Sequence, residues 1–127
     1  MIKQFSIKTS RRNEFIDITS QIQEIVGEVS EGVVTVFVPH TTTGITINEN
    51  ADPDVPRDIL KKLESLIPQS DNYSHMEGNS DAHIKASLFG SSVSVIVKDG
   101  RLLLGTWQSI FFCEFDGPRT RMFYAQV

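Results

Sequence analysis

The feature of the sequence that most constrains the fold is a β-branched run that ends at a proline. The run reads Val33-Val34-Thr35-Val36-Phe37-Val38, and Pro39 follows it directly. Continuous apolar, β-branched runs are typical of strands that are buried on both faces. Proline cannot donate to a β-ladder, so the strand is predicted to end at Pro39. The run therefore predicts a strand at the centre of a sheet.

Three helices and several further strands are predicted around this central strand. Apolar residues at helical spacing predict helices that begin between 17 and 20 and that cover about 53–67 and about 80–89. Alternating residues predict strands over 2–8, 43–48, 93–97, 101–106, 107–115 and 121–127. Asp99-Gly100 is a hairpin-turn signal. Helices among hairpin-linked strands favour an α+β class: one compact domain over 1–127, a mostly antiparallel or mixed β-sheet sandwich with about three helices.

Composition and charge exclude several classes of partner and compartment. The net charge is -4, and no run of Lys or Arg is longer than two residues, so no nucleic-acid footprint is visible. The apolar runs are too short for a transmembrane helix, and the start of the chain lacks the apolar stretch of a secretory signal. The single cysteine, Cys113, cannot form an intrachain disulfide. We therefore expect a cytoplasmic protein without membrane or nucleic-acid partners.

The three histidines are the first candidates for chemistry. His40 follows the predicted central strand, His75 lies in a long polar loop, and His83 lies in the first turn of the third helix. Strand ends, loops and helix starts are where binding groups collect, and zinc takes three or four such ligands. The spacing of these histidines matches no standard metal signature. Three separately solvated surface histidines are the alternative interpretation.

A threonine-rich loop follows His40. Thr41, Thr42 and Thr43 precede Gly44, between two predicted strands. Hydroxyl and backbone N–H groups in such a loop can hold a phosphate. Threonine also favours sheets for reasons of packing, so a threonine-rich strand is the alternative.

Oxygen-bearing side chains are concentrated in the stretch from Asn48 to Asp54. Glu49, Asn50 and Asp52 carry the type of ligand that hard cations such as magnesium prefer. Acidic residues just before a helix are equally explained by capping and by the helix dipole.

Four cationic residues are candidates for phosphate recognition, because arginine forks and lysine charges suit phosphate oxygens. They are Lys85, Arg101, Arg119 and Arg121. Ordinary surface charge is the more common role of such residues. The apolar stretch Ile110-Phe111-Phe112 is predicted to need cover from a neighbouring subunit.

Three long blocks of the chain resemble a known family. They run from Pro39 to Val55, from His75 to Leu88 and from Gly100 to Arg119. All three resemble the YjbQ-like family, whose members are described as secondary thiamine-phosphate synthases. The resemblance covers essentially the whole chain. It implies an α+β subunit, a homotrimer, and a weak or secondary thiamine-phosphate synthase activity.

The reaction that the resemblance implies assigns a role to each group of candidates. It joins hydroxymethylpyrimidine diphosphate to a thiazole phosphate and releases diphosphate, so a catalyst must stabilise departing negative charge. The predicted catalytic residues are His40, His75, His83 and Glu49. The predicted ligands of a divalent metal, zinc or magnesium, are His40, His75, His83 and Asp52. The predicted residues that bind a small phosphorylated substrate are Thr41, Thr42, Thr43, Gly44, Asn50, Lys85 and Arg101.

Two other functions fit the same residues. Three histidines around a zinc ion with an open position would activate water, which describes a metal-dependent hydrolase. A trimer that binds a metal or a ligand without chemistry is the second alternative.

Overall fold

The chain folds into eight strands and three helices in the computed structural model, which describes all 127 residues. The strands are β1 (Ile2–Lys8), β2 (Glu14–Asp17), β3 (Glu31–Phe37), β4 (Thr43–Glu49), β5 (Ser92–Lys98), β6 (Arg101–Leu102), β7 (Gln108–Glu114) and β8 (Thr120–Gln126). The helices are α1 (Thr19–Val26), α2 (Asp54–Leu66) and α3 (Ser80–Phe89). None of these helices is long and apolar enough to cross a membrane.

The strands form two antiparallel sheets. The larger sheet has the order β1-β8-β3-β5-β6, and the smaller has the order β2-β7-β4. The two sheets and α1 enclose one apolar core of 13 buried residues, to which both sheets contribute side chains, such as Val36 from β3 and Phe112 from β7. A smaller core of five buried residues lies between α3 and the smaller sheet. The predicted α+β class is confirmed, and the two sheets curl into a half-barrel.

The β-branched run occupies the centre of the larger sheet, as predicted, but it is not buried on both faces. Val34 and Val36 point into the core and are fully buried. Val33 is 53% exposed and Phe37 is 42% exposed on the opposite face. Alternating side chains of a strand face opposite sides of the sheet, and this sheet has a covering layer on only one side within the chain. The prediction of two-sided burial is therefore wrong for the single subunit.

The apolar residues of β7 are covered within the chain, which corrects the expectation that they need a neighbour. β7 is the middle strand of the smaller sheet and pairs with β2 and β4. Ile110 and Phe112 point into the larger core, whereas Phe111 points into the smaller core with Ala82 and Ala86 of α3. Both faces of this strand are buried because the smaller sheet lies between the two cores.

The hairpin turn between β5 and β6 is confirmed, but the second strand is shorter than predicted. Asp99 and Gly100 adopt φ angles of 52° and 73°, the left-handed conformation that such two-residue turns require. The strand predicted over 101–106 ends at Leu102, where the backbone begins to turn and the Leu104 N–H donates to the Leu102 carbonyl. Gly105 then donates its N–H to the side chain of Gln108, so this stretch is a loop.

Candidate functional site

Two adjoining cavities form a polar trough at one end of the smaller sheet. The first, of about 510 Å³, is lined by His40, Thr41, Thr43, His83, Ala86, Ser87, Gly90 and Ser91. The second, of about 300 Å³, is lined by Thr41, Thr42, His75, Glu77, Asn79, His83, Asp116, Arg119 and Arg121. Thr41 and His83 line both cavities. The trough therefore brings together the three histidines and the threonine loop, which the sequence analysis treated as separate candidates.

His40 reaches the trough because β3 ends at Phe37, whereas the neighbouring strand β8 extends beyond the Phe37–Tyr124 pair to Thr120. The Phe37–Tyr124 pair is the last rung between the two strands. Beyond it, Nε2 of His40 lies 3.0 Å from the backbone nitrogen and 3.1 Å from the carbonyl oxygen of Met122. Nε2 can accept from one of these groups or donate to the other, so either neutral tautomer is satisfied. Nδ1 makes no hydrogen bond within the protein and remains available to a ligand.

Burial sets the charge state of His40. Burial lowers the pKa of the His40 imidazole below its ordinary value, and the guanidinium of Arg121 lowers it further. The hydrogen bond with the Met122 backbone and the charge of Glu114 act in the opposite direction with smaller effects. His40 is therefore held as the neutral imidazole, the form that can act as a base or bind a metal ion.

His83 and His75 lie side by side at the other wall. Their ring centroids are 5.5 Å apart, and the ring planes are perpendicular. Nε2 of His75 lies 4.0 Å from Oε1 of Glu77. His83 lies in the first turn of α3, as predicted, so the position of that helix decides where this ring sits.

Gly44 allows α3 to pack closely against β4. A Cβ atom at this position would lie 2.8 Å from Cβ of Phe89 and 3.2 Å from the carbonyl oxygen of Gly90. The Ile45 N–H donates to the same carbonyl at 3.1 Å. The predicted role of Gly44 in substrate binding is untested, and its place in the structure explains the residue through packing.

Two buried polar atoms in the walls of the trough have no hydrogen-bond partner. They are Oγ1 of Thr43, which belongs to the first cavity, and Oδ1 of Asn79, which belongs to the second. Nδ2 of Asn79 donates to Glu77 at 2.8 Å and to Asp116 at 2.9 Å, and these two carboxylates fix the orientation of the amide. Buried polar atoms are nearly always paired in proteins, so these two atoms mark exceptions directly behind the surface of the trough.

An ion pair buried beneath the threonine loop supports it from below. Arg121 donates to both carboxylate oxygens of Glu114, at 2.8 and 2.6 Å, and to Oγ1 of Thr42 at 2.8 Å. Glu114 is fully buried. Burial alone would raise the pKa of Glu114, but hydrogen bonds from Arg121, the Asp116 N–H and Thr9 together hold it below its ordinary value. Arg121 is therefore a buried structural cation and not ordinary surface charge.

Asp116 organises the second cavity. Its carboxylate accepts hydrogen bonds from Arg12 at 3.1 Å, from Asn79 at 2.9 Å and from Arg119 at 3.1 Å. Burial raises the pKa of Asp116, but the Asn79 hydrogen bond and the charges of Arg119 and Arg12 lower it below the ordinary value overall. Asp116 is thus an anion at neutral pH, and it fixes the side chain of Arg119 at the rim of the trough.

Lys85 lies outside the trough, which corrects its predicted contact with substrate. Its side chain is 0% exposed, and Nζ lies 2.6 Å from Glu64 and 3.1 Å from Asp81. Asp81 also pairs with Arg12 at 2.9 Å, and Arg12 continues to Asp116. Lys85 therefore neutralises carboxylates inside the protein and joins α3 to α2.

The other predicted oxygen ligands lie at the far end of β4. Thr43 begins this strand at the trough and Glu49 ends it, six residue steps or roughly 20 Å away. Asn50 donates to Asp17, and Asp52 accepts the Asp54 N–H at the start of α2. Arg101 is exposed on the edge strand β6. None of Glu49, Asn50, Asp52 and Arg101 lines the trough of the single subunit.

The donor atoms of the trough suit a divalent metal in kind but do not form a complete centre in this arrangement. Imidazole nitrogens are ligands that zinc prefers, and zinc requires three or four ligands. The structure brings no three His, Cys, Asp or Glu side chains into a group that could hold a metal ion. His75 and His83 are the nearest pair of imidazoles, and His40 lines the neighbouring cavity.

Asn79 and Asp116 of the second cavity are not among the candidates from the sequence. Arg119 and Arg121 are candidates for phosphate recognition there, with ordinary surface charge as the more common alternative, and the structure pairs them with Asp116 and Glu114. One signal for Arg121 is present in the sequence, because Glu114 directly follows the apolar stretch 110–113 of β7. An acidic residue in such a strand is rarely buried without a cation beside it.

Comparisons with known proteins agree over the whole chain. A family model described as UPF0047 protein YjbQ-like matches residues 3–127. A UPF0047 protein of Methanocaldococcus jannaschii is 56% identical over 129 residues, which cover 100% of this chain and 94% of that protein. The UPF0047 protein YugU of Bacillus subtilis is 51% identical, with coverage of 100% and 98%.

Solved structures show the same fold. An uncharacterized YjbQ/UPF0047 family protein from Clostridium acetobutylicum superposes with a TM-score of 0.96 at 56% identity, with coverage of 98% of both chains. A protein of unknown function from Sulfolobus solfataricus superposes with a TM-score of 0.93 at 33% identity, with coverage of 98% of this chain and 94% of that one.

Proposed function

Because the chain belongs to the YjbQ-like UPF0047 family and carries a histidine-lined trough, we propose that it is a weak or secondary thiamine-phosphate synthase. The reaction joins hydroxymethylpyrimidine diphosphate to a thiazole phosphate and releases diphosphate. The observation that supports the proposal is the meeting of His40, His75 and His83 around one polar trough. These residues come from three separate segments of the chain, and the core of the fold does not require them there.

The trough supplies groups that such a transfer needs. Its first cavity combines an imidazole held neutral, His40, with the hydroxyls of Thr41 and Thr43. The attacking thiazole nitrogen carries no proton, so a neutral imidazole would serve by hydrogen bonding to the substrates and positioning them. The second cavity offers His75, His83 and the side chain of Arg119 to the phosphate groups. Preorganised donors of this kind stabilise negative charge as it develops on a leaving diphosphate.

We also propose that a divalent metal, zinc or magnesium, binds in the trough. The chemistry of the donors favours zinc, because imidazole nitrogens outnumber carboxylates in the walls. His75 and His83 would hold it, with His40 Nδ1 as the further protein donor. The metal would supply Lewis-acid stabilisation of phosphate charge. Elemental analysis of untagged protein, with His75→Ala and His83→Ala as comparisons, measures this directly.

The quaternary structure proposed with this function is a homotrimer. The register of the larger sheet places on its outer face the side chains of Ile2, Gln4, Ser6, Val33, Thr35, Phe37, Ser92, Ser94, Ile96, Met122, Tyr124 and Gln126. These side chains are uncharged, and several large apolar ones are exposed. The charged residues of the same face lie at strand ends: Lys8, Glu31, Lys98 and Arg101. The uncharged region between them supports association with further copies of the chain, and it leaves Lys8 at its margin. The number of three subunits comes from the resemblance to the family.

Light scattering at micromolar concentration tests the assembly. We expect a mass three times the 14.2 kDa of the subunit. Ile96→Glu replaces an exposed apolar side chain of this face with a charge and should shift the protein to smaller species. Leu88→Glu is a matched control, because Leu88 is 67% exposed on α3. A monomeric wild-type protein would contradict the proposed trimer.

Formation of thiamine phosphate from the two purified substrates tests the activity. We expect turnover by the wild-type protein and its loss in His40→Ala and His83→Ala. Unchanged activity in both variants would contradict the assignment of the site.

The rival function is a metal-dependent hydrolase, which the neighbouring His75, His83 and Glu77 favour. Far faster turnover of a simple phosphate or carboxylic ester than of the synthase substrates would replace our proposal with that one.

A further inference from the structure

A separate groove meets the trough at Arg119. This groove has a volume of about 400 Å³ and is lined by Lys8, Thr9, Pro118, Arg119 and Thr120. Arg119 also lines the second cavity of the trough. Arg119 therefore lies between the groove and the trough and contributes to the walls of both.

The groove differs from the trough in its charge. Its two charged residues, Lys8 and Arg119, are cations, and no carboxylate lines it. The second cavity of the trough, in contrast, contains Glu77 and Asp116. On a chain with a net charge of -4, a groove that is only cationic is a local exception. A concave surface of one sign concentrates ligands of the opposite sign.

The two cations of the groove keep donors that are free to bind a ligand. Lys8 is exposed and takes part in none of the salt bridges of the protein. Nε of Arg119 donates to the backbone carbonyl of Asp116 at 2.8 Å, and one terminal nitrogen donates to the Asp116 carboxylate at 3.1 Å. The other terminal nitrogen makes no hydrogen bond. Arg119 shares its charge with the buried Asp116 and keeps this one free nitrogen, whereas Arg12, Lys85 and Arg121 are each paired with a buried carboxylate outside the groove.

The backbone around Arg119 is held in place before any ligand binds. The Thr9 N–H donates to the Arg119 carbonyl at 2.9 Å, and the Arg119 N–H donates to Oγ1 of Thr9 at 2.9 Å. Lys8 is paired with Thr120 in the β1–β8 register. Preorganised donors lose less conformational entropy on binding, so this frame favours recognition of a compact anion.

We propose that the groove formed by Lys8 and Arg119 is the anion subsite of the trough. It would bind a terminal phosphate group of a phosphorylated small molecule, whose reacting end extends toward His75 and His83. The guanidinium of Arg119 and the ammonium of Lys8 would bind the phosphate oxygens, with Thr120 beside them. This inference deepens the proposed function and rests on it for the reacting end of the substrate. It also assigns phosphate recognition to residues other than Lys85 and Arg101.

Calorimetric titration with inorganic pyrophosphate and inorganic phosphate at low ionic strength tests the subsite without catalysis. Replacing either cation, as Lys8→Ala or Arg119→Gln, should weaken pyrophosphate binding by about 10-fold, because each removes a charge-assisted contact. Lys3→Ala and Arg57→Gln are matched controls, since both residues are exposed cations outside the groove. Affinity should fall as salt rises. Lys8→Ala keeps the test decisive if Arg119→Gln fails to fold, because Lys8 is exposed and unpaired.

The outcomes separate this inference from the proposed function. If both groove variants weaken pyrophosphate binding but the protein forms no thiamine phosphate, the subsite is supported and the synthase activity is contradicted. Thiamine-phosphate formation with an unchanged KM in both groove variants would support the synthase and overturn the subsite. Absence of measurable pyrophosphate binding, or equal weakening by the control variants, would also overturn the subsite.

Discussion

Replacing Lys85 with methionine should destabilise the protein strongly, because it leaves a fully buried carboxylate short of a partner. Asp81 is 0% exposed and lies 3.1 Å from the lysine Nζ, whereas Glu64 is 46% exposed and can return to water. Removing one partner of a buried ion pair costs about 3–5 kcal/mol of folding free energy. Asp81 keeps its contact with Arg12 at 2.9 Å, so we expect the lower end, about 3 kcal/mol.

Urea unfolding of the wild type and Lys85→Met at one protomer concentration measures this cost. A loss of about 3 kcal/mol corresponds to a fall of roughly 10 °C in Tm for a domain of this size. Lys61→Met is the control, since Lys61 is exposed on α2 and forms no salt bridge. Adding Asp81→Asn to Lys85→Met removes the unpaired charge and should restore part of the loss. A Lys85→Met variant as stable as Lys61→Met would refute the structural role of this lysine.

Three further predictions concern the walls of the trough. The pKa of Glu114 is lower in the folded protein than its ordinary value, so this carboxylate stabilises the fold above the ordinary pKa, and the stabilisation is lost as pH falls toward the folded pKa. Glu114→Gln should therefore flatten the fall of the unfolding free energy at acid pH, and an unchanged fall would contradict this. The imidazole of His40 should titrate below about 6.5 by NMR, and a midpoint at or above that value would contradict its burial beside Arg121. Gly44→Ala should cost about 1–3 kcal/mol by overpacking against Phe89 and should displace His83; the control Gly27→Ala, whose Cβ would meet nothing closer than 3.8 Å, should be far milder in the same urea assay.

Local signals in the sequence were enough to predict most of the elements. The predicted helix over 80–89, which ends before Gly90, lies where the sequence places it. Its predicted apolar face is wrong, because Ile84 and Leu88 are exposed and α3 buries Ala82 and Ala86 instead. The β-branched run predicts the central strand, yet the exposure of Val33 depends on what covers the sheet, and composition carries no such information. The strand predicted over 101–106 ends at Leu102, because the contact of Gly105 with the Gln108 side chain forms a loop that leaves no periodic signal in the sequence.

The site was predicted only in part, for a related reason. The three histidines were chosen because their residue type is informative, and the fold brings them to one trough. The roles of Lys85 and Arg121 depend on which carboxylates lie beside them, at separations of 4 to 21 residues along the chain. The resemblance assigns Glu49 and Asn50 to the same site as the threonine loop, but an extended strand separates them from it.

The central claim is that three imidazoles serve one reaction, and steady-state formation of thiamine phosphate tests it most directly. The assay compares the wild type with His40→Ala, His75→Ala, His83→Ala and the His40→Ala/His83→Ala double variant. Arg57→Gln, which changes a distant exposed side chain, is the control. We predict that each single histidine variant loses about 100-fold or more in kcat/KM, and that the double variant loses little more than either single one. Wild-type rates in the single variants, or losses that simply multiply in the double variant, would contradict the claim.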